Sequence, residues 1–142
     1  MESVRTGVIL DSSILIAGER RNQTVAEVLE RVEAACGKTA AALSAVTAVE
    51  LTHGIYRARA NADRLRRQTF VDEIFQTVAV YPLTLEVARL AGRIHGEQMG
   101  QGNSIDFPDL LIGATALYLG FDVVTHNLKH FQAIPSLKVM TI

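Results

Sequence analysis

Hydrophobic and polar positions alternate along the chain between short apolar runs and stretches of helical spacing. Val8, Ile9 and Leu10 form the first run, closed at once by Asp11-Ser12-Ser13 before Ile14, Leu15, Ile16 and Ala17 resume. A run this short reads as a strand and the polar triplet as a turn into a helix. Over residues 23–35, Val25, Val28, Leu29 and Val32 recur at helical spacing with Glu27, Glu30, Arg31 and Glu33 between them, and Gly37 is the stop. Residues 38–43 make a second strand, with Ser44 placed to cap a helix over residues 45–59. Ala45, Ala48, Val49, Thr52, Ile55 and Tyr56 form its main apolar stripe, which leaves Glu50 on a mixed face with Val46, Thr47, Gly54 and Arg57. Leu65, Phe70, Val71, Ile74 and Phe75 mark the next helix. Residues 77–83 are a third strand, interrupted by Pro82, and Thr84 caps a helix carrying Val87, Leu90, Ala91 and Ile94 that ends near Gly100.

The stretch from Ser104 to Leu117 is different, because its apolar residues leave no polar face. Pro108 suits the first helical position and Gly120 the stop, so the pattern predicts a helix buried on all sides. Asp109 falls in its first turn, near the positive end of the helix dipole. Gly113 and Ala116, on the same side, allow another element to approach the backbone closely. Residues 121–125 read as a fourth strand, followed by His126 and Asn127, and residues 137–142 as an edge strand. Such alternation of strand and helix argues for a layered α/β fold with a mostly parallel sheet.

Composition narrows the picture. The 142 residues fit a single domain spanning 1–142. Hydrophobic residues make up 49%, yet no run reaches the roughly 20 residues that cross a bilayer, so no membrane association is expected. The opening ten residues include Glu2 and Arg5 and lack the apolar core of a secretory signal, which makes the cytoplasm the expected location. Cys36 stands alone, which excludes an intrachain disulfide and a cysteine-based zinc site and leaves it a packing role. A net charge of −1 gives no overall basic field. Local distribution says more: Arg57, Arg59, Arg64, Arg66 and Arg67 fall within eleven residues, whereas residues 94–128 hold no Lys or Arg. The basic run reads either as a surface for a polyanion beside an acidic pocket or as a solvated helical face.

Three acids carry the candidate chemistry. Asp11 directly follows the first strand, where α/β sheets place their ligand crevice, although a helix N-cap would also use it. Glu50 lies on the helix after the second strand and reads equally as a solvated residue. Asp109 opens the helix before the fourth strand, where it complements the dipole if it does nothing else. Carboxylates converging from these three places repel one another unless a cation sits among them. Hard oxygen donors suit Mg²⁺ or Mn²⁺, and such an ion activates water against a phosphodiester. Rival chemistries lose a needed part. An aspartyl phosphatase requires an acid two residues after Asp11, where Ser13 stands, and a serine hydrolase requires the missing Gly-x-Ser-x-Gly elbow. His126 and His130 have a zinc-like spacing with no third ligand and read as surface or turn residues.

Four segments in order carry a family resemblance: residues 10–16 around Asp11, 44–51 ending in Glu50-Leu51, 109–116 beginning with Asp109, and Val124-Thr125-His126-Asn127 with His130-Phe131. Together they resemble PIN-domain ribonucleases of the VapC toxin type, over nearly the whole chain. The resemblance implies a PIN-like three-layer α/β/α fold, an endoribonuclease using Mg²⁺ with Mn²⁺ able to substitute, an RNA substrate such as tRNA or rRNA, and a VapB-type antitoxin. By position it makes Asp11 and Asp109 metal ligands and has Glu50 complete the acidic cluster. Asn127 stands where many members carry a fourth acid; it can hold a water but adds no charge, so a second metal binds less tightly. Asp106 either compensates or only caps the helix. The alternative is a catalytically silent PIN-like module that binds RNA or protein. High apolar content adds the expectation of a homodimer and of an antitoxin helix in a groove, with the helices of Val25, Val28 and Leu29 and of Leu65, Phe70 and Ile74 sharing their apolar sides with partners.

Overall fold

Strand β1 (Gly7–Leu10) is buried along its whole length, as a parallel strand covered by helices on both faces must be. The computed structural model describes residues 6–142, so Glu2 and Arg5 lie outside the described residues. After β1 come α1 (Ser12–Arg20), α2 (Val25–Cys36), β2 (Ala40–Ser44), α3 (Ala45–Arg57) and α4 (Asn61–Thr77). They are followed by β3 (Ala79–Tyr81), α5 (Leu85–Gly100), α6 (Phe107–Leu119), β4 (Asp122–Val124), α7 (Leu128–Phe131) and β5 (Val139–Met140). The strands pair in the order β3-β2-β1-β4-β5, and every neighbouring pair is parallel.

Alternation along the strands builds two cores. Val8, Leu10, Leu43 and Val124 point to one face, where they meet Leu15, Val28, Leu51, Ile55 and Ile74 from α1 to α4. Ile9, Ala42 and Val123 point to the other, against Ala91 and Ile94 of α5, Ile112 and Ala116 of α6, and Phe131 and Ile134 beyond. Three layers result, with the sheet in the middle. Local chemistry starts the helices. Thr24 and Glu27 form a reciprocal capping box on α2, while Ser44 Oγ accepts from the Val46 amide at 3.1 Å and Thr84 Oγ1 from the Val87 amide at 3.2 Å. Each such cap stabilises its helix by about 1 kcal/mol. Gly120, left-handed at φ 74°, ends α6. Pro108 occupies the second helical position, since α6 begins at Phe107.

Helix α3 departs from the sequence pattern. Its buried side runs through Thr47, Leu51 and Ile55, while Val49 and Tyr56 are 68% and 65% exposed. Apolar residues occur on two sides of this helix, and packing against the sheet, α1 and α4 selects the Leu51–Ile55 side. That choice brings Glu50 in from solvent. The helix also stops at Arg57, and Ala58 is buried beyond it. In α4, Leu65 is exposed while Val71 and Ile74 are buried. Val25 and Val28 are core residues, so these two helices present less apolar surface to a partner than their sequences imply. The third and tail strands are short, as Ala79–Tyr81 and Val139–Met140, the latter a parallel edge beside β4.

The close approach expected at Gly113 is made by the segment after α7. A Cβ at Gly113 would lie 2.4 Å from Ile134 Cδ1 and 3.3 Å from Leu137 Cδ2. Gly113→Val should therefore force buried side chains to move and, since Val gains little helix propensity over Gly, destabilise the protein by about 1–3 kcal/mol. Urea unfolding measures this; an unchanged midpoint would place the segment away from α6.

Candidate functional site

The chain winds outward from β1 to β2 and β3, then returns to lay β4 on the other side of β1. Such a reversal opens a crevice beyond the carboxyl ends of the strands, and Asp11 and Thr125 are the first residues past those ends. The Asp11 amide donates to the Val124 carbonyl at 2.9 Å, carrying the pairing one residue beyond the strand. Asp11 occupies the N-cap position of α1, yet its side chain makes no capping bond. Instead Asp11 Oδ2 accepts from Ser13 Oγ and from Thr125 Oγ1, both at 2.8 Å. These hydroxyls are themselves held, Ser13 by the His126 amide at 3.1 Å and Thr125 by the Asn127 amide at 2.9 Å. A carboxylate only 5% exposed is thus fixed in one orientation.

Glu50 and Asp109 meet Asp11 from α3 and α6. Burial pushes the Glu50 carboxyl above its ordinary range, the Asp11 charge pushes further, the Ser12 hydroxyl pulls partly back, and Asp109 adds to the rise. Burial likewise lifts Asp109 from an ordinary 3.8 to about 6, against the pull of His130 and with added repulsion from Asp11 and Asp106. His130 Nδ1 lies 3.4 Å from Asp109 Oδ2. Mutual repulsion of this kind marks three acids gathered in one place.

Hard oxygen donors of this set fit a divalent cation such as Mg²⁺. Glu50 Oε1 is buried without a hydrogen-bond partner, an acceptor left for a ligand. Among the described residues, no three His, Cys, Asp or Glu side chains are close enough to enclose a metal by themselves.

The other candidates divide. Asn127 is exposed at the rim, and its backbone rather than its side chain enters the Asp11 network. Asp106 is exposed, makes no side-chain cap to α6, and reaches Asp109 only through its charge. His130, read from sequence as a surface or turn residue, is half exposed yet paired with Asp109. Ser13 and Thr125 carry no signal in the sequence beyond their places beside the strand ends. The arginine run serves the fold more than its spacing implies. Arg67 donates to the Gly54 carbonyl at 2.8 Å and Arg64 to the Ala58 carbonyl at 3.1 Å, while Arg66 bridges Asp63 and Glu19.

A family model described as the PIN domain matches residues 8–136. Among curated relatives, Ribonuclease VapC1 of Rickettsia felis is 29% identical over 136 residues, 96% of each chain. Among solved structures, VapBC2 from Rickettsia felis, bound to a DNA fragment from their promoter, superposes with a TM-score of 0.81 at 20% identity, covering 95% of this chain and 98% of that one. VapBC-5 from Mycobacterium tuberculosis, a member of the VapBC family of toxin–antitoxin systems, gives 0.75 at 22% identity, covering 96% and 99%. At these identities the structural likeness speaks for the fold.

The crowding of acids has a measurable cost. With its pKa raised to about 6, Asp109 binds a proton more tightly in the folded chain than in the unfolded one, so without divalent cations stability falls as pH rises from about 4 through 6. Asp109→Asn should escape that loss. In chelator at pH 7.5 it should exceed the parent in stability by on the order of 1–3 kcal/mol, the gap closing toward pH 4. Identical pH profiles in thermal melts would contradict the burial of this carboxyl.

Proposed function

Because this chain belongs to the PIN domain family, we propose that it is an endoribonuclease of the VapC toxin kind, hydrolysing RNA phosphodiester bonds at Asp11, Glu50 and Asp109. The observation that carries the reading is the convergence of three chain-distant carboxylates at the strand ends, with Glu50 Oε1 buried and unpartnered. Asp11, Glu50 and Asp109 would hold Mg²⁺, or Mn²⁺ in its place. Bound there, the ion supplies positive charge to the scissile phosphate and to an attacking water. The protein's own part is preorganisation. Ser13 and Thr125 fix Asp11 so that no reorientation is needed during reaction. Burial of Glu50 and Asp109 and the charge of neighbouring carboxylates make both carboxyls hold a proton more readily than in water, and a cation bound among them would relieve that repulsion. Asn127 stands at the rim with a neutral amide that can orient a water.

A protein partner follows from the same reading. Two of the similar solved structures are VapBC from Rickettsia felis and Mycobacterium tuberculosis, and Val49, Tyr56 and Leu65 on α3 and α4 expose apolar surface. A VapB-type antitoxin covering such surface, with a basic side chain directed at the acids, would neutralise them and compete with the metal. A homodimer is the second assembly this surface supports.

Two experiments test the proposal. Asp11→Asn and Asp109→Asn should each reduce Mg²⁺-dependent cleavage of tRNA or rRNA at least about 100-fold with circular dichroism unchanged. Thr125→Val should lower metal affinity or rate about 10–100-fold, and Thr125→Ser should restore it. Parental rates in both Asn variants would sink the assignment. In sedimentation the chain should run at twice its 15.5 kDa mass, and a VapB-type protein should bind it and silence cleavage. A strict monomer whose cleavage that protein leaves untouched would contradict the partner reading.

A further inference from the structure

A cleft of about 390 Å³ opens beside the acids between α1, α3 and α4. Its lining includes Ser12 at the start of α1 and Glu50 on α3, with Arg20 at the end of α1, Arg57 at the end of α3, and Arg67 and Phe70 on α4. Its charge is uneven. The further acid in the wall, Glu19, is already paired with Arg66 at 3.3 Å, so three guanidinium groups dominate the part away from Glu50. Arg67 is held in place by the Gly54 carbonyl at 2.8 Å.

An acidic end joined to a cationic one matches a strand that offers one phosphate to a metal and the next to arginine. Phe70 of α4 and Ile16 of α1, both only partly buried, add apolar surface for a base. Charge separates the possible occupants: three guanidinium groups in a cleft that also holds a carboxylate suit the phosphates of a nucleic-acid strand, and the volume falls within the roughly 300–1,000 Å³ of small-ligand sites.

We propose that this cleft is a subsite for the nucleotide next to the scissile phosphate of single-stranded RNA, with Arg20, Arg57 and Arg67 on its phosphate and Phe70 against its base. The proposal rests on the endoribonuclease reading and extends it to substrate selection. It makes the cleft the place where the strand's direction over the acids is set.

Gly54 provides a clean test, because it lines the cleft and a Cβ built there meets nothing within 4 Å. Gly54→Leu should carry a side chain into the cleft from a Cβ that meets no protein atom, and helix interiors favour Leu over Gly. Arg20→Ala/Arg57→Ala removes two exposed cations. The probe is a fluorescent eight-nucleotide RNA of mixed sequence, followed by anisotropy in chelator across a salt series and by steady-state cleavage in Mg²⁺. Both variants should weaken binding about 10-fold and raise KM similarly, with kcat changed far less. The arginine variant should also flatten the logarithmic salt slope by roughly 0.7 per lost contact, and Gly54→Leu should melt no lower than the parent. Parental affinity and slope in both variants would overturn the proposal. So would unchanged RNA binding together with lost inhibition by a VapB-type protein, which would assign the cleft to that partner. Binding is read without cleavage, so a parent that binds through the cleft but cuts no RNA would refute the activity and leave the subsite standing.

Discussion

Burying a carboxylate at the end of a strand is tolerable only when its lost hydration is replaced, and at Asp11 the replacement comes from Ser13 and Thr125. The Ser13 hydroxyl comes from the first turn of α1, two residues away, but that of Thr125 comes from the turn after β4, so the second bond exists only because the two strands lie side by side. The parallel pairing of β1 with β4 is therefore the constraint on which the rest depends. It sets the crevice, orients Asp11, and fixes where α3 and α6 must deliver the other acids.

Those acids oppose the fold that holds them. Glu50 and Asp109 are both made harder to ionise by burial and by neighbouring carboxylates. A flexible scaffold would relax by letting them part. Here they issue from helices packed on a sheet whose central strand is fully buried, so the packing holds them together against their repulsion.

Much of this was legible in the sequence, for reasons that differ by element. Strand β1 and helix α6 are apolar on every side, and such segments have only one place to go. Asp11 and Asp109 inherit their positions from those two elements. Glu50 was harder, because α3 carries apolar residues on two sides and its pattern favours the Val49–Tyr56 side that the structure leaves exposed. The helix orientation is a property of its neighbours. Hydrogen-bond partners were also hidden. Nothing in the spacing of Ser13 and Thr125, 112 residues apart, shows that both serve one oxygen of Asp11. The pairing of His130 with Asp109 was hidden for the same reason, since that partner comes from a distant helix. The arginine run was visible as charge, but its carbonyl partners at Gly54 and Ala58 depend on how α4 folds back on α3.

The 114-residue separation between Asp11 and Thr125 also bears on when the protein acquires its site. Chains emerge from synthesis with the N-terminal part first, and β1 must wait beside β2 until β4 has been made. Contacts of such long range form late and slowly, because a large loop must close before they are rewarded. A growing or truncated chain lacking the last strands has Asp11 without Thr125 and no wall on the β4 side of the crevice. Its acids are present but not assembled, and whatever chemistry they perform begins only with a nearly complete chain.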